Sequence, residues 1–271
     1  MGVTLNAIRT SVSRILRDTV WAGVVAIVST LQVCQTAASD LPTIISRVKP
    51  AIVAVGTYEA TRRPPAVFRG TGFIVHDGNT VATSAHVLPD HLDESNKEIL
   101  SIFLPAKGGV VMYPARIAGK DGQHDLAILR FEGPPQPALS LGTGTLAREG
   151  QSIAFTGFPL GAALGLVPVT HTGIISAYVP TSIPVLAPEL LDSKQIRSVE
   201  QGFGVYQLDA VAYPGNSGSP VYDTSSAEVL GVVASTFVKD TRERVLQEPS
   251  AMTYAIPVQH LRLLLAATVG Q

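Results

Sequence analysis

"YPGNSGSPVYD", residues 213–223, holds Ser217 between glycines at 215 and 218 and brackets the group with Pro214 and Pro220. A serine hydroxyl attacks a carbonyl only when a neighbouring base takes its proton, and the resulting oxyanion needs backbone N–H groups converging on one point. Glycines this close to Ser217 permit so tight a turn and keep side chains away from an incoming carbonyl. The same hexapeptide, Gly215 to Pro220, also reads as a plain glycine-rich β-turn, so the rest of the chain has to decide between the two.

Working outward, the pattern is short β-rich runs separated by turn residues. Before the motif lie "AIVAVGTY" (51–58), "TGFIV" (71–75), "TVATSA" (80–85), "ILSIFL" (99–104), "VVMYPARIAG" (110–119) and "DLAILRF" (125–131), with a hairpin turn at "HDGN" (76–79). The proline-rich stretch "EGPPQPALSLG", 132–142, reads as a linker. A second group follows with "QSIAFTGF" (151–158), "VTHTGIISAYV" (169–179), "VYQLDAVA" (205–212), "VLGVVASTF" (229–237) and "MTYAIPV" (252–258). The expected fold is therefore all-β: two β units, 40–135 and 145–271, each with enough strands to close as a small antiparallel barrel and so remove its exposed edges. Two interruptions are expected in the second unit, a short helix between "PELL" and "SVEQ" within 180–202 and a charged loop at 239–250. Leucines at helical spacing in "VQHLRLLLAAT", 258–268, predict a closing helix packed on the second unit.

The first 39 residues are of another kind. Arg9, Arg14 and Arg17 precede the uncharged run Val20 to Val33 and then small residues, the order of a secretory signal; uncleaved, the segment would instead be an N-terminal membrane anchor. The single cysteine, Cys34, falls inside it, so no disulfide framework and no cysteine metal site is expected in the mature chain. The six histidines are scattered without metal-ligand spacing, and no cofactor is expected. With charged residues at 15% and a net charge of −1, the balance offers no strong field to draw in nucleic acid, and membrane contact is expected only through an uncleaved N-terminus.

Two further residues give the serine its context. His86 sits in "VATSAHVLPD", where a β run ends, so its imidazole can project from a strand end. Asp125 opens the apolar run "DLAILRF", where a partly buried carboxylate needs a partner that an imidazole N–H can supply. Alone, each has a bland reading as a structural residue. Together they occur in the order His86, Asp125, Ser217, two in the first unit and one in the second.

This combination resembles the trypsin-like, chymotrypsin-fold serine peptidases, closest to the bacterial HtrA/Deg branch. The resemblance covers about residues 45 to 260 and rests on "TGFIV", "TSAHV", "DLAIL", "GNSGSP" and "YAIP", with "GFPLG" and "TGIISA" in support. It implies two six-stranded barrels with a cleft between them, His86 as general base and acid, Asp125 orienting it, Ser217 attacking, and the N–H groups of Gly215 and Ser217 forming the oxyanion hole. It also implies a substrate pocket lined by Val211, Val233 and Ser235; with Val211 at the floor, small or medium apolar side chains are expected before the cut bond of a protein or peptide substrate. Departures from the family pattern are Asn216, neutral where animal trypsins carry an aspartate, and Ser219 in place of a usual glycine. After "YAIP" the tail is shorter than the roughly 80 residues of a further domain of the PDZ kind, so none is expected. An α/β-hydrolase would need G-x-S-x-G and the opposite residue order. A catalytically silent peptide-binding module on the same scaffold is the alternative.

Overall fold

The computed structural model describes residues 40–106, 108–159, 165–181, 202–234 and 252–269. The eleven short β-rich runs become eleven of the twelve antiparallel strands among the described residues. In the first unit these are β1 (Ile52–Tyr58), β2 (Ala66–Val75), β3 (Thr80–Ser84), β4 (Ile99–Ala106), β5 (Gly109–Asp121) and β6 (Leu126–Phe131). In the second they are β7 (Ser152–Gly157), β8 (Val169–Pro180), β9 (Gly204–Asp209), β10 (Pro220–Asp223), β11 (Val229–Ala234) and β12 (Met252–Pro257). Each set closes into a barrel, in the spatial orders β1-β2-β3-β6-β5-β4 and β10-β11-β12-β9-β8-β7. The all-β fold with two six-stranded barrels and a C-terminal helix is thus the one expected. β10 alone has no counterpart among the runs read from sequence, because its four residues are fused to the serine motif.

Period-two alternation explains how the second barrel fills its own interior with one set of residues and joins the first barrel's core with the other. In the second barrel Ile153, Phe155, Val221 and Val233 fill the interior, while their neighbours Ala154, Tyr222, Val232 and Ala234 join the cluster that also holds the first barrel's Val55, Phe73, Val81 and Leu126. The apolar cluster therefore runs unbroken across the seam. A first helix, α1 (Leu41–Val48), adds Ile44 and Val48 to it.

The linker is stitched to both sides, with Leu139 bridged to Val75 and Leu141 to Val229. The closing helix α2 (Val258–Val269) departs from expectation in its reach. It packs on the first barrel as well as the second: Leu264 and Thr268 lie against Gly119 of β5, and His260 stacks on His124 at 3.9 Å. Sequence periodicity specifies which face of a helix is buried but not which neighbours cover it. The helix expected within 180–202 and the charged loop at 239–250 lie outside the described residues, which omit 182–201 and 235–251.

Candidate active site

β3 ends at Ser84 and turns into a 3-10 segment, Ala85–Val87, that carries His86. Ser84 is paired with Leu126, so the ends of two neighbouring strands bring His86 beside Asp125, the residue before β6. The contact is made at several points. The Asp125 carbonyl accepts the Ala85 N–H at 2.9 Å. Its Oδ1 accepts the His86 backbone N–H at 2.9 Å, and its Oδ2 lies 2.6 Å from His86 Nδ1. One carboxylate therefore fixes both the main chain and the ring of the same residue. An ionised carboxylate can only accept, so in this contact Nδ1 is the donor, and a neutral imidazole in this orientation carries its lone pair on Nε2. Asp125 does this from a left-handed backbone, φ 53°, a region that aspartate tolerates better than most residues.

Ser217 comes from the second barrel, on the connection between β9 and β10, and is buried. The turn before it, Tyr213-Pro214-Gly215-Asn216, closes with the Asn216 N–H on the Tyr213 carbonyl at 3.0 Å. Gly215 has φ 99°, which with proline at the preceding position makes a type II turn. The connection is then pinned across the seam. Thr71 N–H donates to the Ser217 carbonyl at 2.9 Å and Thr71 Oγ1 to the Gly215 carbonyl at 2.7 Å. The same hydroxyl accepts the Phe158 N–H at 3.0 Å. Ser84 Oγ and the Gly218 N–H both donate to the Val233 carbonyl, at 3.1 and 2.8 Å. A methyl carbon added at Gly70 would sit 2.6 Å from the Val87 side chain and 3.0 Å from the Ser217 carbonyl, so the serine turn and the His86 turn flank one residue. His86, Asp125 and Ser217 all lie at this seam.

Ser219 is fully buried, and the side chain it adds is accommodated by Gly157: a methyl carbon there would lie 2.1 Å from Ser219 Oγ and 2.8 Å from Asn216 Oδ1. Neither the Ser219 hydroxyl nor the Asn216 amide has a hydrogen-bond partner among the described residues. Of the pocket residues, Val211 is half-buried, Val233 points into the second barrel's interior and Ser235 lies outside the described residues. The segment before the serine is held by Thr253 of β12, whose Oγ1 accepts the Ala212 N–H at 2.9 Å and donates to the Ala210 carbonyl at 2.5 Å.

Thr71 and Thr253 are the positioning residues that sequence reasoning missed. Thr71 heads the quoted run "TGFIV", where only its β character was read. Two of the remaining histidines meet away from these residues: His124 pairs through Nδ1 with Asp121 Oδ2 at 2.6 Å, and His260, stacked on His124, is pushed down to about 4 by burial and by the neighbouring charge of His124. His171 is lowered by burial and stacks on Phe155. The open cavity lined by Asn79, Arg116, Arg130 and Glu132 contains none of the residues singled out for chemistry.

Residues 70–232, more than half of the chain, match the trypsin-like peptidase domain. The chain belongs to the trypsin-like peptidase domain family. Among members of related sequence, serine protease HTRA1A of Danio rerio is 26% identical over 227 residues, which cover 82% of this chain and 40% of that protein. The probable periplasmic serine endoprotease DegP-like of Halomonas elongata is 29% identical over 170 residues, 63% of this chain and 30% of that protein. The chain spans less than half the length of these curated relatives. The crystal structure of the serine endoprotease from Yersinia pestis matches with a TM-score of 0.58 at 21% identity, covering 86% of this chain and 68% of that one, and shares the fold of this trypsin-like peptidase domain.

Proposed function

We propose that the chain is an HtrA-type serine endopeptidase in which His86, Asp125 and Ser217 act as one set. His86 Nε2 takes the Ser217 proton as Oγ bonds to the carbonyl carbon of the substrate. The oxyanion is met by the N–H groups of Gly215 and Ser217, and the imidazolium is stabilised by Asp125. The C–N bond then breaks as His86 hands its proton to the leaving amine. Water, deprotonated by His86, cleaves the acyl ester and restores Ser217. The observation that carries this reading is the two-point hold of Asp125 on His86, 2.6 and 2.9 Å, at the same seam as a serine that follows a type II turn, in a trypsin-like peptidase domain.

A fluorophosphonate probe, applied with and without a peptide to engage the cleft, tests it. Labelling of the wild type that Ser217→Ala abolishes is the expected result; no labelling in either condition would instead favour a silent binding module. Small or medium apolar residues are proposed before the cut bond, because Ala210, Val211 and Ala212 offer no carboxylate for a basic side chain. Faster cleavage after Arg or Lys than after Val or Ala, read as kcat/KM, would overturn that preference. The reading also makes residues 1–39 an export signal that delivers barrels 40–135 and 145–271 to the periplasm or outside; the periplasmic name of the Halomonas relative supports it. Sequencing the mature N-terminus tests the assignment, with a start near Ser39 expected.

A further inference from the structure

Arg69 lies on β2 two residues before Thr71, where the pairing with β1 slips: Val55 is opposite Gly70 and Gly56 is opposite Phe68. Arg69 is therefore the extra residue of a β-bulge, a device that re-aims one side chain out of a strand's alternation. Its Nε donates to the Val87 carbonyl at 2.9 Å, which lays the side chain along the turn that carries His86. With Nε so occupied, the four N–H groups on the two terminal nitrogens remain. No carboxylate among the described residues forms an ion pair with them, although Arg62 pairs with Glu59 and Glu98 and Arg130 with Asp77, and Arg69 is exposed.

The position of this cation relative to a substrate follows from the chemistry of the proposed reaction, on which this inference rests. The acyl side of the cut bond is directed toward the second-barrel segment that precedes Ser217. The leaving amine must lie next to His86, because His86 supplies its proton. Val87, which holds Arg69, is the next residue along that turn. We infer that Arg69 is a specificity residue that receives a carboxylate carried by the leaving-group segment, within the first two residues after the cut bond. The guanidinium fork suits a carboxylate, which can accept two of its N–H groups at once. Two sources offer this chemistry, an Asp or Glu side chain or the free C-terminus of a substrate cut close to its end.

The test uses the full chain and internally quenched peptides that differ only as Glu or Gln at the first or second position after the cut bond. All carry an amidated C-terminus, and the Gln peptide is also made in a short form with a free C-terminal carboxylate. In low salt, kcat/KM should favour the Glu or free-carboxylate peptide by about three- to five-fold, the size of an exposed ion pair, and the preference should shrink at high salt. Whichever of the two arms shows the effect identifies the source. Arg69→Gln should abolish the preference, Arg69→Lys should keep part of it, and Arg116→Gln, which removes a cation from another surface, should leave it as in the wild type. Binding of the same peptides to Ser217→Ala, followed by fluorescence anisotropy, reads Arg69 without turnover and should show the same ratio, lost in Ser217→Ala/Arg69→Gln. Equal rates and equal binding for all peptides in low salt, or a preference that survives Arg69→Gln, would overturn the inference. If the wild type cleaves nothing that Ser217→Ala does not, the peptidase reading fails, and the binding arm still decides Arg69.

Discussion

The two barrels contribute to the seam in different ways. The first supplies His86 and Asp125 from adjacent strand ends and satisfies them internally, with three contacts from one aspartate to the 85–86 segment. The second supplies Ser217 on a turn whose carbonyls at 215 and 217 are both held by Thr71, a residue of the other barrel. Behind that turn Asn216 and Ser219 bury polar atoms that no described residue satisfies. The imidazole is thus set by pairing within its own barrel, and the serine by the neighbouring one. Where Ser217 sits relative to His86 therefore depends on the seam, where a single hydroxyl links Gly215 to Phe158.

The largest expected effect belongs to the first barrel. Asp125→Asn should lower kcat by roughly ten-thousand-fold, because the wrong imidazole tautomer is stabilised, while asparagine keeps the left-handed backbone without new strain. A loss below ten-fold in steady-state assays would show that the two-point hold is ornamental. Next comes Thr71→Val, which leaves the Phe158 N–H and the Gly215 carbonyl without their partner. Stability should fall by about 1–3 kcal/mol in urea unfolding, and probe labelling of Ser217 should slow by more than the unfolded fraction explains. Thr71→Ser should restore both. If Thr71→Val unfolds more readily yet labels at the wild-type rate, the second barrel sets its own serine turn without help from Thr71.

The smallest effect concerns the helix that spans the barrels. His260 has an ordinary value of 6.5 and is pushed down to about 4, first by burial and then by the charge of His124, against the pull of Asp121. Below 6.5 the unfolded chain takes up a proton that the folded chain refuses until about 4. Stability should therefore be fullest above that window and decline as pH falls through it. His260→Phe, which keeps a ring against His124 and Phe203, should flatten the decline in Tm without removing the part due to His171, also lowered by burial. An unchanged slope would mean that His260 does not sense the pH.

Much of this was legible in the chain. The strands announce themselves by short β-rich runs between turns, and His86, Asp125 and Ser217 stand in runs whose ends or turns make their side chains available. What periodicity cannot report is the partner across a long sequence gap. β10 is too short to show a period, and the face of α2 that covers β5 looks the same in sequence as a face covering the second barrel alone. His124 and His260 read as unrelated polar residues because 136 positions of chain must fold before their rings meet. Thr71 and Arg69 were hidden for a related reason: one hydroxyl in a strand, or one extra residue in a register, carries no signal until the opposite strand is known.

The apolar cluster that crosses the seam leaves neither half able to bury its own outer face. Each barrel's fold is a condition of the other's, so melting should proceed as one all-or-none event. If the linker is severed between Leu139 and Leu141, the two fragments should find each other again and regain a working cleft only as a non-covalent pair, at a rate that depends on their concentration.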